Sequence, residues 1–257
     1  MVKGLDKIFF LNLDSRKSRW EHLQAYKINH PNLERFPAID SIKNPFVYKD
    51  YNLELNPVGV NHTLYFSFYH GAIGCYLSHY LMWQKIVENK WENVLILEDD
   101  IEPTSLQSFL SRFEGDDYKD YDLVQLSCKS KFGGTEAYLL NYRAAQILLE
   151  TTHNPSSLSG IDPLNPSIKK LIRKGLIKKD TFQWEVKNSI TSPSDKFLEY
   201  VVKSGLVKFK RICKIHLDIS LCNNSSIMAS PDFSLKNLDD KKIKNYIIRK
   251  EYKWWKK

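Results

Sequence analysis

Four branched apolar residues, Val94-Leu95-Ile96-Leu97, run without a break into three carboxylates, Glu98-Asp99-Asp100. The apolar run has the length and composition of a short strand buried on both faces, as in a parallel sheet. The strand has to end where the charges begin, because ionised carboxylates do not stay buried unpaired. Three adjacent carboxylates also repel one another, and a hard divalent cation such as Mg²⁺ or Mn²⁺ relieves that repulsion. Open α/β sheets bind ligands beyond the carboxyl ends of their strands. A cation held there is placed to hold a diphosphate. The plain alternative is a solvated acidic loop capping the next element, and an isolated triplet favours it. The rest of the chain has to decide.

The alternation of elements points to α/β. Lys7 to Leu13 reads as a buried first strand. Asp14-Ser15 then gives a helix start signal before a helix to about Tyr26. Leu33–Phe36 reads as a second strand. Residues 41–69 carry Asn, Pro and Tyr without a sustained period and read as a long loop. Ile73, Leu77, Tyr80, Leu81 and Val87 share one face of a helix from Gly71 to about Glu88. Further strands are expected at Val94–Leu97, Tyr121–Leu126 and Ala137–Leu140, with a helix at about Arg143–Glu150. Beyond Thr151 the pattern weakens. Residues 167–179 read as a basic amphipathic helix, Phe197–Val202 and Val207–Ile212 as strands, and 238–257 as a basic helix. Strands alternating with helices imply a mainly parallel, Rossmann-like sheet flanked by helices. The expected organisation is one domain over residues 1–235 and a basic aromatic C-terminal helical tail over 236–257.

Charge separates the tail from the body. The chain of 257 residues carries a net +8. Residues 241–257 hold eight Lys/Arg against one Glu, so the remainder is close to neutral. A protein that binds nucleic acid through its fold would be basic over its body, so no nucleic-acid partner is expected. Tyr252, Trp254 and Trp255 among the lysines suit peripheral contact with an anionic bilayer. No stretch approaches the ~20 apolar residues that span a membrane, and the first residues lack the order of a signal peptide. A cytoplasmic location, or the cytosolic face of a membrane, is expected. Cys75, Cys128, Cys213 and Cys222 form no C-x-x-C pair, so a structural zinc site is not expected and reduced thiols are.

Further blocks could carry chemistry. In Asn12-Leu13-Asp14-Ser15-Arg16-Lys17-Ser18-Arg19, two arginines three apart follow the first strand. Arginine pairs with phosphate oxygens in a forked geometry, and a helix start supplies N–H donors to an anion. An ordinary capped helix with solvent-facing arginines is the plain alternative. In Gly71-Ala72-Ile73-Gly74-Cys75-Tyr76-Leu77-Ser78-His79, the glycines allow close backbone approach. Ser78 and His79 follow one turn later, and a hydrogen-bonded core histidine explains His79 equally well. Gly133-Gly134-Thr135-Glu136-Ala137-Tyr138 is a turn before a strand that could shape an acceptor site. Ser159-Gly160-Ile161-Asp162-Pro163 places one carboxylate in a polar loop.

Taken in order, these blocks resemble glycosyltransferase family 25, the lipopolysaccharide and procollagen galactosyltransferase-like enzymes. The matching residues are Phe10-Leu11-Asn12-Leu13-Asp14-Ser15-Arg16 with Arg19-Trp20, then Gly71 to His79 with Trp83, then Leu95 to Asp100. Gly134 to Leu140 with Ala144-Ala145 resembles a later family block, and Ile161-Asp162 its following acidic position. The likeness covers about residues 7–165. It implies a GT-A fold and inverting transfer of a hexose from a UDP-sugar, galactose first and glucose next. A divalent metal, Mn²⁺ or Mg²⁺, is implied as well. Asp100 would hold that metal, with Glu98 and His216 as further candidates. Asn12, Leu13, Arg16, Arg19, Gly74, Ser78, His79, Glu98 and Asp99 would line the donor site. Asp162 would take the acceptor proton. The acceptor would be a glycan, a lipid-linked sugar or a collagen-like chain. Two alternatives stay open: a sugar-nucleotide-binding relative without turnover, and an unrelated nucleotidyltransferase using an acidic motif.

Overall fold

The computed structural model describes residues 4–28, 30–41, 43–44, 46–55, 69–114, 117–127, 134–161, 173, 187–190 and 194–218. Within them the strands are β1 (Lys7–Asn12), β2 (Leu33–Pro37), β3 (Glu54–Leu55), β4 (Val94–Glu98), β5 (Leu123–Ser127), β6 (Ala137–Leu140), β7 (Ser189–Ile190) and β8 (Phe209–Ile215). The helices are α1 (Lys17–Ala25), α2 (Tyr69–Asn89), α3 (Pro103–Ser111), α4 (Tyr142–His153) and α5 (Ser194–Lys203). A six-stranded sheet has the order β2-β1-β4-β6-β5-β8, and β3 pairs with β7 in a small second sheet.

The large sheet is mainly parallel, as expected. β1 runs parallel to β2 and to β4, and β5 runs parallel to β8. Only β6 is reversed, pairing antiparallel with both β4 and β5. The carboxyl ends of the other five strands therefore lie at one end of the sheet. The reversal has a local consequence: β6 begins at that end, and the Glu136 carbonyl accepts the Glu98 N–H at 2.8 Å.

The apolar run explains the position of β4. Val94, Leu95, Ile96 and Leu97 are all fully buried, each contributing about 2 kcal/mol relative to an exposed side chain. Side chains alternate across a strand. Val94 and Ile96 join Phe9 and Leu11 in one core, under Tyr76 and Trp83 of α2, Leu148 of α4 and Phe197 of α5. Leu95 and Leu97 join Ile8 and Phe10 in a second core, against Leu23 of α1 and Leu106, Phe109 and Leu110 of α3. The sheet is thus covered on both faces.

Two expectations are corrected here, and one helix is added. Phe197–Val202 is the body of α5 and not a strand. Its aromatic and β-branched residues suggest a strand, but Ser194, Phe197, Leu198 and Val201 are buried at helical spacing. Helix α3 has no counterpart in the sequence pattern; it starts at Pro103, whose missing N–H costs nothing in the first turn. Cys213 is disulfide-bonded, against the expectation of reduced thiols, and its partner lies outside the described residues. The 167–179 helix, apart from Arg173, and the 236–257 tail also lie outside them. No helix of the described residues is long and apolar enough to cross a membrane.

Candidate functional site

Strand alternation divides the acidic triplet. Glu98, in phase with Val94 and Ile96, turns toward α2. Asp99, in phase with Leu95 and Leu97, turns toward α1. The three carboxylates consequently have three different surroundings.

Asp99 is held from the first strand and its turn. Asn12, 1% exposed at the end of β1, donates from Nδ2 to Asp99 Oδ2 at 2.8 Å and to the Arg16 carbonyl at 3.0 Å. Arg19 forms an ion pair with Asp99 Oδ1. Arg35, on β2, donates to Asn12 Oδ1 at 2.8 Å and to Asp14 Oδ1 at 2.8 Å. Leu13 is half-buried and leads into the 3-10 turn Asp14–Arg16. Arg16 is half-buried too. Burial and the charge of Arg19 push its guanidinium below the usual range, against Asp99, Asp100 and Asp40. Arg19 is therefore not a solvent-facing helix arginine. It neutralises Asp99, while Arg16 lies in the field of both aspartates.

Glu98 is gripped from α2 and from the turn before β6. Its Oε1 accepts from Thr135 Oγ1 at 2.5 Å, and lies 3.2 Å from His79 Nε2 and 3.8 Å from Cys75 Sγ. The direction of the chain behind it follows from chemistry. Trp83 Nε1 can only donate, and it meets the Tyr138 hydroxyl at 3.1 Å. That hydroxyl then donates to His79 Nδ1, 2.8 Å away. The imidazole proton is left on Nε2, facing Glu98. Burial pushes the Tyr138 phenol well above its usual range, so it remains a donor. His79, Trp83 and Tyr138 are buried throughout.

Cys75, His79 and Glu98 bring ligand atoms within 4.8 Å of one another, close enough for a metal. Their chemistry favours hydrogen bonding instead. Burial and then the Glu98 charge push the Cys75 thiol far up, away from the thiolate that binds metals. Both imidazole nitrogens are also engaged.

Gly74 and Ser78 act on backbone. A Cβ at Gly74 would sit 2.4 Å from the Ile39 carbonyl oxygen and 2.6 Å from Ser41 Oγ. Ser78 Oγ donates to the Gly74 carbonyl at 2.6 Å and accepts the Ile39 N–H at 2.9 Å. The pair docks the chain leaving β2 onto α2.

Asp100, 8% exposed, lies in the turn two residues beyond β4. Its carbonyl accepts the Asp218 N–H at 2.8 Å, and the Glu102 N–H donates to the His216 carbonyl at 2.8 Å. Ile101 and Leu217 form an antiparallel bridge. His216, a candidate metal ligand from the sequence, thus has its backbone beside the triplet and is exposed. Asp162 lies outside the described residues.

Several residues here had weak sequence signals. Thr135 sits in the glycine-containing turn and Tyr138 in β6 just after it; in that turn Gly134 adopts φ +129° and a Cβ would clash with the Glu136 carboxylate. Ser194, at the start of α5, lies 3.1 Å from Cys75 Sγ and 3.2 Å from Thr135 Oγ1. With Phe197–Val202 read as a strand, Ser194 and Asp195 attract no notice in sequence.

A doubly covered α/β sheet with an arginine- and carboxylate-rich site at its carboxyl end defines the general class. Residues 5–114 match the model of glycosyltransferase family 25 (LPS biosynthesis protein). A glycosyltransferase 25 family member of Drosophila melanogaster is 31% identical over 187 residues, covering 68% of this chain and 29% of the relative. Human procollagen galactosyltransferase 2 is 31% identical over 100 residues, covering 38% of this chain and 16% of the relative. The chain thus spans under a third of either relative. A solved protein from Desulfovibrio desulfuricans G20, provisionally assigned as a nucleotide-diphospho-sugar transferase, covers 93% of this chain and 96% of its own. At 13% identity and a TM-score of 0.35 that likeness carries no weight.

Proposed function

We propose that the chain is a metal-dependent, inverting UDP-hexosyltransferase of GT-A type, taking galactose in preference to glucose. The acceptor is a hydroxyl of a glycan, a lipid-linked sugar or a collagen-like chain. The observation that carries the reading is the division of labour at the end of β4. Asp99 is neutralised by Arg19 and Asn12, and Glu98 is held by Thr135 and His79. Asp100, buried just beyond the strand and in the field of Arg16, is the carboxylate we assign to a hard cation, with the His216 backbone running beside it. A carboxylate just beyond a strand end fits a hard cation such as Mn²⁺ or Mg²⁺. When bound there, the metal would offset the charge that grows on the departing diphosphate. The protein's own part is to hold that diphosphate near Arg16 and to fix β1, α1 and β4 relative to one another. The galactose preference and the acceptor classes rest on the likeness to glycosyltransferase family 25 and on the name of the human relative.

The test is UDP release from a panel of UDP-sugars, with Mn²⁺ and with excess chelator. UDP-galactose should be the best donor. Chelation should remove the activity and Mn²⁺ restore it. Asp100→Ala should lower it at least about 100-fold at unchanged fold. Chelator-resistant release would overturn the metal role. Binding of UDP-sugars without release would favour a relative without turnover, and release of pyrophosphate from nucleoside triphosphates a nucleotidyltransferase.

A further inference from the structure

We propose that Asp195 is the catalytic base, the group that takes the proton of the acceptor hydroxyl. This deepens the transferase reading and rests on it.

Asp195 lies in the first turn of α5, and that turn is docked against the site. Its neighbour Ser194 meets Cys75 and Thr135, the residues that border Glu98. Asp195 lines a small, largely apolar cleft between α5 and the sheet, with Gln125, Gly134, Tyr138 and Glu199 among apolar side chains such as Leu123 and Phe209. Gly134 and Tyr138 belong to the turn and strand that hold Glu98 and His79. The cleft runs between α5 and strands β5, β6 and β8, on the α2 side of the sheet, and Gly134 borders it next to Thr135, the partner of Glu98.

The other carboxylates of the site are committed. Asp99 pairs with Arg19, and Glu98 accepts from Thr135 and His79. Glu136 accepts from Ser127. Glu199 is paired with Lys196 and Lys203, and Asp100 is the metal candidate. Asp195 makes no ion pair among the described residues, and Lys196 sends its ammonium to Glu199. A base must be an acceptor that no cation has neutralised. Burial also pushes the Asp195 carboxyl up, and the Glu98 and Glu199 charges add to this against the Lys196 N–H and ammonium. That makes it a stronger base than an exposed aspartate.

The step balances without a further reagent. The acceptor oxygen bonds to the anomeric carbon as the bond from that carbon to the diphosphate oxygen breaks, its electron pair leaving with UDP. The hydroxyl proton passes to an Asp195 oxygen. Water can take the place of the acceptor, so donor hydrolysis reads the same step.

The experiment uses the full chain with Mn²⁺ and UDP-galactose. Asp195→Ala should lower UDP release to water at least about 100-fold and leave UDP affinity within about threefold. Sodium azide needs no deprotonation, so it should restore UDP release in the variant and yield a galactosyl azide. Asp195→Asn, nearly the same shape, should show the same loss and keeps the test valid if the alanine variant fails to fold. Hydrolysis within about threefold of wild type, or a loss that azide does not rescue, overturns the assignment; a merely structural carboxylate would give the second. Wild-type chain that releases no UDP from UDP-galactose or UDP-glucose would sink the transferase reading, and Asp195 as base would fall with it.

Discussion

Arg19 and Asp99 have side chains only 8% and 14% exposed, so neither charge can turn to water if the other is removed. Truncating one partner of a buried pair leaves an uncompensated charge and costs about 3 kcal/mol. Arg19→Ala should lower stability by roughly that amount in urea denaturation, and adding Asp99→Asn should recover part of the loss. A change of under about 0.5 kcal/mol would instead mark the pair as an ordinary surface contact. Tyr138 offers a second test with a spectroscopic signature. Tyr138→Phe removes the hydroxyl that receives Trp83 and donates to His79. Two buried polar groups then lose their partner, at about 1–3 kcal/mol each. The imidazole also loses the contact that fixes its proton on Nε2. Nitrogen NMR of His79 should show that single tautomer in the wild-type chain and a mixture in the variant; an unchanged spectrum would refute the chain of donors.

Between elements, Asp122 ties the entrances of three of them. Its Oδ2 accepts the Lys208 N–H at 2.7 Å, just before β8, and pairs with Arg143 in the first turn of α4. Asn141 Nδ2 donates to its Oδ1 at 3.2 Å. Burial alone would raise this carboxyl; the Lys208 N–H, Arg143 and Asn141 more than reverse that and hold it below its usual range. A folded-state pKa below the unfolded one stabilises fully above about pH 4 and is lost as pH falls through the folded value. Asp122→Asn should therefore be less stable than wild type at pH 7, with the gap closing as pH drops below about 4. A gap that persists at low pH would assign the effect to lost shape and not to charge. The same elements show how far sequence carries. β4 and α2 were legible because unbroken apolar runs and a one-faced period have few other uses. The opposite facing of Glu98 and Asp99 was also available, since alternation dictates it. The Arg19–Asp99 pair was not, because 80 residues separate its members. α5 was misread because Phe197, Tyr200, Val201 and Val202 favour strands locally, and only packing against Tyr76 and Trp83 settles them as helix. With α5 misread, Asp195 fell inside no recognisable site.

At the scale of the whole molecule, charge separates chemistry from placement. The site is built from paired charges within a nearly neutral body, whereas residues 241–257 concentrate eight Lys/Arg against one Glu. A cationic segment near an anionic bilayer gains about 1 kcal/mol per Lys or Arg, and interleaved Tyr252, Trp254 and Trp255 suit the interfacial region. The attraction falls off within a Debye length, so salt weakens it. Cosedimentation should show the full chain bound to phosphatidylserine-containing vesicles, unbound to phosphatidylcholine alone, and released by about 0.5 M salt. A chain ending at residue 240 should lose vesicle binding while its UDP release from soluble UDP-galactose stays within about twofold of the full chain, because every residue placed at the site precedes residue 219. Binding that survives the truncation would move the contact onto the body. Release that collapses with it would mean that the tail reaches the site, and the separation of anchoring from chemistry would fail.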